Sequence, residues 1–418
     1  MVVEAENPFN PGYGEQPPFL AGRSGLINEA IGALRAGPGR ARFHRILIGP
    51  RGAGKTVALN AIVNLAVEEY GAVVLRWTAG SRPLHEAVDY GATVVERALQ
   101  SRWHRAGGAV DTSATVGVPG VATATATRRP RGVSTDSAFT RFDRLARLAA
   151  RKHRIVVVWI DEAQQAQPDE IATLAAVMQE LANVQSLPVA ILAAGLPSTR
   201  SIWLDAASSL ERQEFTTIGN LDADDTEAAF AIPIRESRRQ IEDAALHDLV
   251  QASRGFPYAI QLIGAATWDA TDADVIDGAA ARIGIADALA TLEEQVFTTR
   301  WRHIPSGHRE YLQAAADLVD RATGIVAPSA IAERLGKTTA ALSTRRTDLI
   351  NDHQVLASAG RDQLTFTQPG FAEWVRAAVS ETHQTDKAGA GQVILDGWNQ
   401  PPPQSSGRRA KGNRPIGP

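Results

Sequence analysis

The chain has 418 residues and a mass of 44.6 kDa, more than one core's worth of sequence, which predicts two to four domains. Its 44% apolar and 21% charged residues exclude a wholly disordered or collagen-like chain, and the absence of cysteine removes disulfides, thiolate catalysis and cysteine-ligated zinc. A formal net charge of −3 offers no overall basic footprint, so any nucleic-acid contact must come from a local patch.

Residues 1–16, with Pro8, Pro11, Gly12 and Gly14, predict a flexible, irregular N-terminus. Strand and helix signals then alternate. Strands are expected at Arg45–Ile48, Ala72–Trp77, Ile155–Ile160, Val189–Ala193 and Gln213–Ile218, with helices at Lys55–Tyr70, Leu84–Trp103, Ser137–Ala150 and Pro168–Asn183. Continuous Val/Ile runs between helices are the pattern of a parallel sheet covered by helices. Residues 107–135, almost free of large side chains, read as a low-complexity insertion in this 17–219 unit. From 220 to 303 the pattern is helical alone, over Asp222–Ala231, Arg238–Ala252, Tyr258–Ala270 and Asp272–Arg302. A third regime, 304–380, combines short helices with two strand-like pieces, and 381–418 reads as a disordered basic tail. No apolar run approaches the roughly 18 residues of a membrane helix, and the first residues lack the basic-then-apolar pattern of a signal peptide. No membrane partner and a cytoplasmic location are expected.

Gly49-Pro50-Arg51-Gly52-Ala53-Gly54-Lys55-Thr56 fits G-x-x-x-x-G-K-[ST] and lies between an apolar strand and a helix, as the motif demands. Its glycines allow backbone N–H groups to turn inward around phosphates, and the helix start adds partial positive charge. Lys55 would reach the β/γ-phosphates, Thr56 would complete a Mg²⁺ site, and the loop through Val57 would cradle the nucleotide. Lysine is scarce here, with only five in the chain, so a motif that requires one rarely arises by chance. About 105 residues later, Ile155–Ile160 ends in Asp161-Glu162. This places an acid pair at the C-terminal end of a buried strand, where ligands of open α/β sheets bind. Asp161 would hold Mg²⁺ through water, and Glu162 would orient or activate the attacking water.

Three further segments carry a family resemblance. Phe19-Leu-Ala-Gly22-Arg23 resembles the F-x-G-R segment that covers adenine in AAA+ and STAND-type ATPases. Asp161-Glu-Ala-Gln164 resembles their second acidic motif, and Arg254-Gly-Phe-Pro257-Tyr resembles the G-x-P lid motif of STAND and archaeal-type ATPases, including origin-recognition relatives. The resemblance spans about residues 17–300. It implies an α/β P-loop NTPase core followed by an all-α lid, ATP rather than GTP as ligand, and adenine contacts from Gly22, Arg23 and Pro257. It also implies ATP-dependent homo-oligomerisation and an arginine finger, for which Arg212 stands roughly where relatives place one, with Arg200 as the fallback. Two departures point to a slow switch or to a non-hydrolysing relative. The strand Val189–Gly195 ends without a polar sensor, and the lid arginine of origin-recognition relatives is replaced by Gly-Phe-Pro-Tyr.

Ser329–Ile350 has helix-turn-helix spacing, with Ala332, Gly336 and Leu342 at the contact, turn and anchor positions and Ser329 and Thr338 as expected caps. Two short strands and the helix Phe371–Val379 complete what resembles a C-terminal winged helix. Lys337, Thr339, Ser343, Arg345 and Arg346 on its second helix, and Arg361 on the wing, would face DNA. Residues 305–378 hold eight basic and eight acidic side chains, so docking of a protein partner stays open beside DNA binding.

Overall fold

The computed structural model describes residues 6–12, 17, 19–40, 42–100, 137–320, 323–360 and 362–383. The expected insertion at 107–135, Arg361 and nearly all of the 381–418 tail lie outside the described residues.

The first unit runs α1 (Ser24–Ala36), β1 (Arg45–Ile48), α2 (Lys55–Tyr70), β2 (Val73–Thr78), α3 (Leu84–Gln100), α4 (Ala138–Arg151), β3 (Val156–Asp161), α5 (Pro168–Ala176), β4 (Val189–Gly195), α6 (Thr199–Ala206) and β5 (Phe215–Thr217). The five strands form one parallel sheet in the order β2-β3-β4-β1-β5, flanked by helices. Strands β3 and β4 are buried along their whole length, which explains their unbroken apolar runs. Register pairs Ile48 with Gly195 and Thr78 with Asp161, so the C-terminal ends of these strands finish along one edge of the sheet. Helix α5 passes into a π-helical stretch, Val177–Val184, and packs one core with Met178 and Leu181 beneath the sheet.

The second unit contains α7 (Ala223–Glu236), β6 (Gln240–Ile241), α8 (Asp243–Ser253), α9 (Pro257–Asp269), β7 (Val275–Ile276) and α10 (Gly278–Leu292). A two-residue parallel pairing of β6 with β7 corrects the expectation of helices alone. The long helix expected over 272–302 is interrupted because Asp277 caps α10, accepting hydrogen bonds from the Ala279 and Ala280 amides at 3.0 and 2.9 Å. After α10 the chain turns π-helical over Glu293–Phe297 before α11 (Thr298–His303).

The C-terminal region comprises α12 (Ser306–Leu318), β8 (Ile325–Val326), α13 (Pro328–Arg334), α14 (Ser343–Asn351), β9 (Leu356–Gly360), β10 (Gln363–Phe366) and α15 (Phe371–His383). Its three strands pair antiparallel in the order β8-β10-β9, β8 being one strand more than the sequence suggests. Ala332 and Leu342 are buried as expected. Ser329, however, is not a cap: α13 starts at Pro328 after Ala327, with no side-chain cap. Thr338 accepts from the Ala341 amide at 3.2 Å in the turn before α14.

The boundary expected at 303/304 falls inside a continuous hydrophobic core shared by the helical unit and the C-terminal region. Phe297 lies 5.1 Å from Phe371, Trp374 stacks on Phe371 at 5.8 Å, and the Trp374 indole donates to Glu293 Oε1 at 2.9 Å. Burying each such ring contributes roughly 2–3 kcal/mol, enough to fasten the two units together. The same core takes in Phe9, whose ring lies where a side chain on Gly264 would stand, so residues 6–12 are irregular yet pinned to α9. Among the described residues no helix is long and apolar enough to cross a membrane.

Candidate functional site

Strand β1 delivers the chain into the loop Gly49–Gly54. Gly52 and Gly54 adopt φ of 84° and 81°, which L side chains avoid, and a Cβ on Gly52 would also meet the Phe256 ring at 2.6 Å. These turns fold the loop back over the start of α2. No side chain caps α2, so its first amides are left for a ligand. Lys55 Nζ donates across the loop to the Pro50 carbonyl at 2.9 Å. Burial pushes the Lys55 ammonium down to about 8, against the pull of Asp161 and Glu162, while Arg51 and Arg300 push the same way as burial.

The acid pair stands opposite. Thr56 Oγ1 donates to Asp161 Oδ2 at 3.0 Å, and the Glu162 amide donates to Asp161 Oδ1 at 2.9 Å. Burial raises the Asp161 carboxyl above its ordinary value, although both hydrogen bonds oppose the rise. Glu162 has φ of 51°, which turns its side chain back toward the loop. Its carboxylate lies 3.6 Å from Arg51 Nη1 and accepts from the Gln164 amide. Gln164 in turn accepts from the Leu196 amide at 3.0 Å, bracing Glu162 against the end of β4. A Cβ on Gly195 would lie 2.2 Å from Thr199 Oγ1 and 3.1 Å from Gln164 Oε1. The polar groups at this point therefore come from Gln164 of the β3–α5 connection and Thr199 of α6 rather than from β4. Gln164 was visible in the sequence within Asp161-Glu-Ala-Gln, but nothing there marked it as the brace.

Loop and acids open into a cavity of about 510 Å³. Apolar Phe19, Leu20, Ala21, Leu221, Pro257 and Ile260 line it together with Gly52, Lys55, Thr56, Asp161 and Glu162. Arg23 lines it too, donating to the Gly219 carbonyl and, at 3.4 Å, to that of Ala53; burial lowers its pKa, against Asp225. Gly22 packs where Asp225 leaves no room for a Cβ. Pro257 opens α9 beside the loop, near Gly54. Thus Arg23, Arg51, Gly52, Ala53, Gly54, Lys55, Thr56, Val57, Asp161, Glu162 and Pro257 line one space, whereas Gly22 packs against Asp225 and Leu221.

Arg212 does not join them. It is exposed at the end of the turn Ser208–Arg212, and Arg200 is occupied over the Phe215 ring at 5.6 Å. Instead, Gln295, Val296, Arg300 and Gln368 line the cavity, and none of them carries a motif that could have singled it out.

Thr56 and Asp161 offer the hard oxygen ligands that Mg²⁺ prefers, and among the described residues no group of three or more His, Cys, Asp or Glu forms a fuller protein cage. Such a pair fits a cation whose remaining ligands are phosphate oxygens and water.

Residues 20–192 match the AAA ATPase domain. Residues 294–375 match a domain of unknown function, DUF8462. No curated protein matches the chain. Among solved structures, the fold is similar to that of the Aeropyrum pernix ORC2 protein in its ADPNP–ADP complexes, with TM-score 0.57, 12% identity, and coverage of 89% of this chain and 96% of that one. It is similar, too, to the Walker-type ATPase paby2304 of Pyrococcus abyssi, with TM-score 0.57, 14% identity, and coverage of 86% and 97%. At these identities the likeness is one of fold, and the five-stranded sheet is that of the P-loop NTPases.

In the C-terminal region Lys337 and Thr339 are exposed on the approach to α14. Ser343 Oγ donates back to the Ala340 carbonyl at 2.8 Å. Arg345 does not project as expected: its Nη1 donates to the Gly307 carbonyl at 3.1 Å and lies 3.5 Å from Glu310, holding α14 on α12. Arg346 is half-buried beside Tyr311.

Proposed function

We propose that the chain binds ATP with Mg²⁺ in this cavity and hydrolyses it slowly, as a switch whose nucleotide state sets how the C-terminal region, acting as a winged helix, meets DNA. The observation that carries the reading is the Thr56–Asp161 hydrogen bond between the start of α2 and the end of β3. It sets two hard oxygen donors beside a glycine loop and a lysine, in a space that is also lined by apolar side chains.

In this reading the amides of Gly52–Thr56 and the Lys55 ammonium neutralise the phosphates, and Thr56 and Asp161 would hold Mg²⁺, which would supply further positive charge against the phosphates. Glu162, braced by Gln164, accepts a hydrogen bond from the attacking water and takes its proton as the bond to the γ-phosphorus forms and the ADP oxygen leaves. The apolar wall from Phe19, Leu221 and Pro257 takes the base. The 17–219 core, the 220–303 lid and the 304–380 module are the working parts. Slow turnover is supported by the end of β4, where Gly195 leaves no space for a sensor side chain.

The rival reading is a nucleotide-dependent scaffold whose C-terminal region docks protein, favoured by Arg345 being engaged at Gly307 rather than free for a groove. An arginine finger from Arg212 fits a neighbouring subunit of an ATP-dependent homo-oligomer, since Arg212 does not line its own cavity. Calorimetric titration with Mg·ATP, paired with a phosphate-release assay, tests the proposal. Wild type is expected to bind and release phosphate slowly, Lys55→Ala to lose binding, and Glu162→Gln to bind without release. Undiminished binding by Lys55→Ala rejects the phosphate assignment.

A further inference from the structure

Residues 7–10 run along α9 from its end toward its start and are fastened at each step. Asn7 Nδ2 donates to the Asp269 carboxylate at 2.8 Å and to the Ala265 carbonyl at 3.1 Å, while Asn7 Oδ1 accepts from the Phe9 amide at 2.9 Å. The Phe9 ring is buried where Gly264 leaves room for it, 6.1 Å from the Phe230 ring. Gln261 Oε1 then accepts from the Asn10 amide at 3.0 Å. The segment is therefore a strap laid on α9.

The strap arrives at the cavity, which Asn10, Pro11, Gly12 and Gln261 all line. Its place relative to the glycine loop follows from the helix. Pro257, the first residue of α9, stands beside Gly54, and Gln261 is one turn on, about 6 Å farther along the axis. A nucleotide whose phosphates occupy the glycine loop reaches that far with its ribose and base.

Both side-chain amides on this wall are fixed in the same sense. Gln261 Oε1 is taken by the Asn10 amide, and Asn10 Oδ1 by the Gly12 amide at 2.9 Å. With each oxygen held by a backbone donor, the orientation of both amides is set, and the NH₂ is the unengaged end of each. Neither nitrogen has a partner among the described residues, and Asn10 is exposed and Gln261 partly so. The wall thus offers N–H donors at two neighbouring positions.

We propose that Asn10 and Gln261 are base-binding residues, donating from their amide nitrogens to acceptor atoms on the edge of the nucleotide's ring. This rests on the nucleotide reading above. A base carries its acceptors on its edges and is apolar on its faces, so the strap amides meet an edge while Phe19, Leu221 and Pro257 cover a face. Phe9 and Asn7 are positioning residues, which hold the strap on α9.

The test is titration of the full chain with Mg²⁺ and ATP, ADP or inorganic tripolyphosphate, which has the phosphates without a base. Wild type is compared with Asn10→Asp and Gln261→Glu. Each substitution keeps an oxygen to accept the backbone amide, so the strap stays fastened, but replaces the NH₂ donor by an acceptor. The added negative charge acts on all three ligands, so the readout is affinity for ATP and ADP relative to tripolyphosphate. Each variant is expected to lower that ratio by roughly 10-fold, the worth of a hydrogen bond lost and an acceptor left facing another. Phe9→Ala, at a residue that does not line the cavity, should lower the ratio as well by unfastening the strap. An unchanged ratio in both amide variants overturns the inference while leaving the phosphate site intact. A wild-type chain that binds none of the three ligands overturns the nucleotide reading with it.

Discussion

Nucleotide binding should be coupled to proton uptake at Lys55. With its ammonium lowered to about 8 in the nucleotide-free protein, Lys55 is about nine-tenths charged at pH 7, half charged at pH 8 and one-tenth charged at pH 9. Phosphates beside it favour the charged form, so the bound state keeps the proton throughout this range. Binding therefore takes up about half a proton at pH 8 and most of one at pH 9. Because only the charged fraction is competent, apparent affinity weakens roughly tenfold between pH 7 and 9. A phosphate's own second ionisation, near pH 6, lies below this window, and Arg300, at about 10, lies mostly above it. Calorimetry at pH 8 in two buffers of different ionisation enthalpy measures the uptake directly. Lys55→Arg supplies the control, since a guanidinium stays charged and its uptake should vanish. Heats independent of buffer at pH 8, with a dissociation constant flat from pH 7 to 9, would contradict proton uptake at Lys55.

The same depressed ammonium makes Lys55 a cost to the empty protein. Its drop from 10.5 to about 8 corresponds to about 3 kcal/mol at neutral pH, so Lys55→Met should raise the nucleotide-free Tm while abolishing ATP binding. By the same sign, wild-type stability should rise as pH climbs from 8 toward 10.5, where the unfolded lysine still holds more protons; a falling Tm there contradicts the burial. Glu162→Gln should lower phosphate release by roughly 10²- to 10⁴-fold with little change in ATP affinity, read by single-turnover kinetics. Gly52→Ala, at φ 84° and facing Phe256, should cost about 2 kcal/mol or more in denaturant unfolding and weaken ATP binding with it. Arg346→Ala with Lys337→Ala should reduce DNA affinity and the steepness of its salt dependence; an unchanged salt slope favours protein docking.

What could be read from the sequence follows from how locally each feature is determined. Strand β1, the glycine loop and α2 were placed to the residue because one motif fixes the strand end, the turn and the helix start together. Strand β3 and its acids were equally plain, since a strand buried on both faces leaves an unbroken apolar run. Helix α1 was missed although Ile27, Ala30, Ile31 and Leu34 are spaced along one face. It follows Arg23 without a side-chain cap, so no start signal announced it. Strands β6, β7 and β8 have two residues each, too few for any periodicity, and exist because tertiary packing brings their partners alongside. Asp277 inside the expected 272–302 helix was a readable cap signal that the run of apolar residues obscured. Arg300 was invisible for another reason. One arginine in an arginine-rich chain carries no pattern, and only the fold brings it to a lysine 245 positions earlier. Arg345 shows the converse: its type and place suggested exposure, and the close pass of Gly307 took it up.

The cavity between the glycine loop, the β3 acids and α9 is expected to take Mg·ATP. Titration of the full chain with ATP, with and without Mg²⁺, beside Lys55→Ala and Asp161→Asn, tests it most directly. One saturable site is expected in wild type, strengthened by Mg²⁺, with the Mg²⁺ effect lost in Asp161→Asn and binding lost in Lys55→Ala. Equal affinity in all three proteins, with no dependence on Mg²⁺, would contradict it.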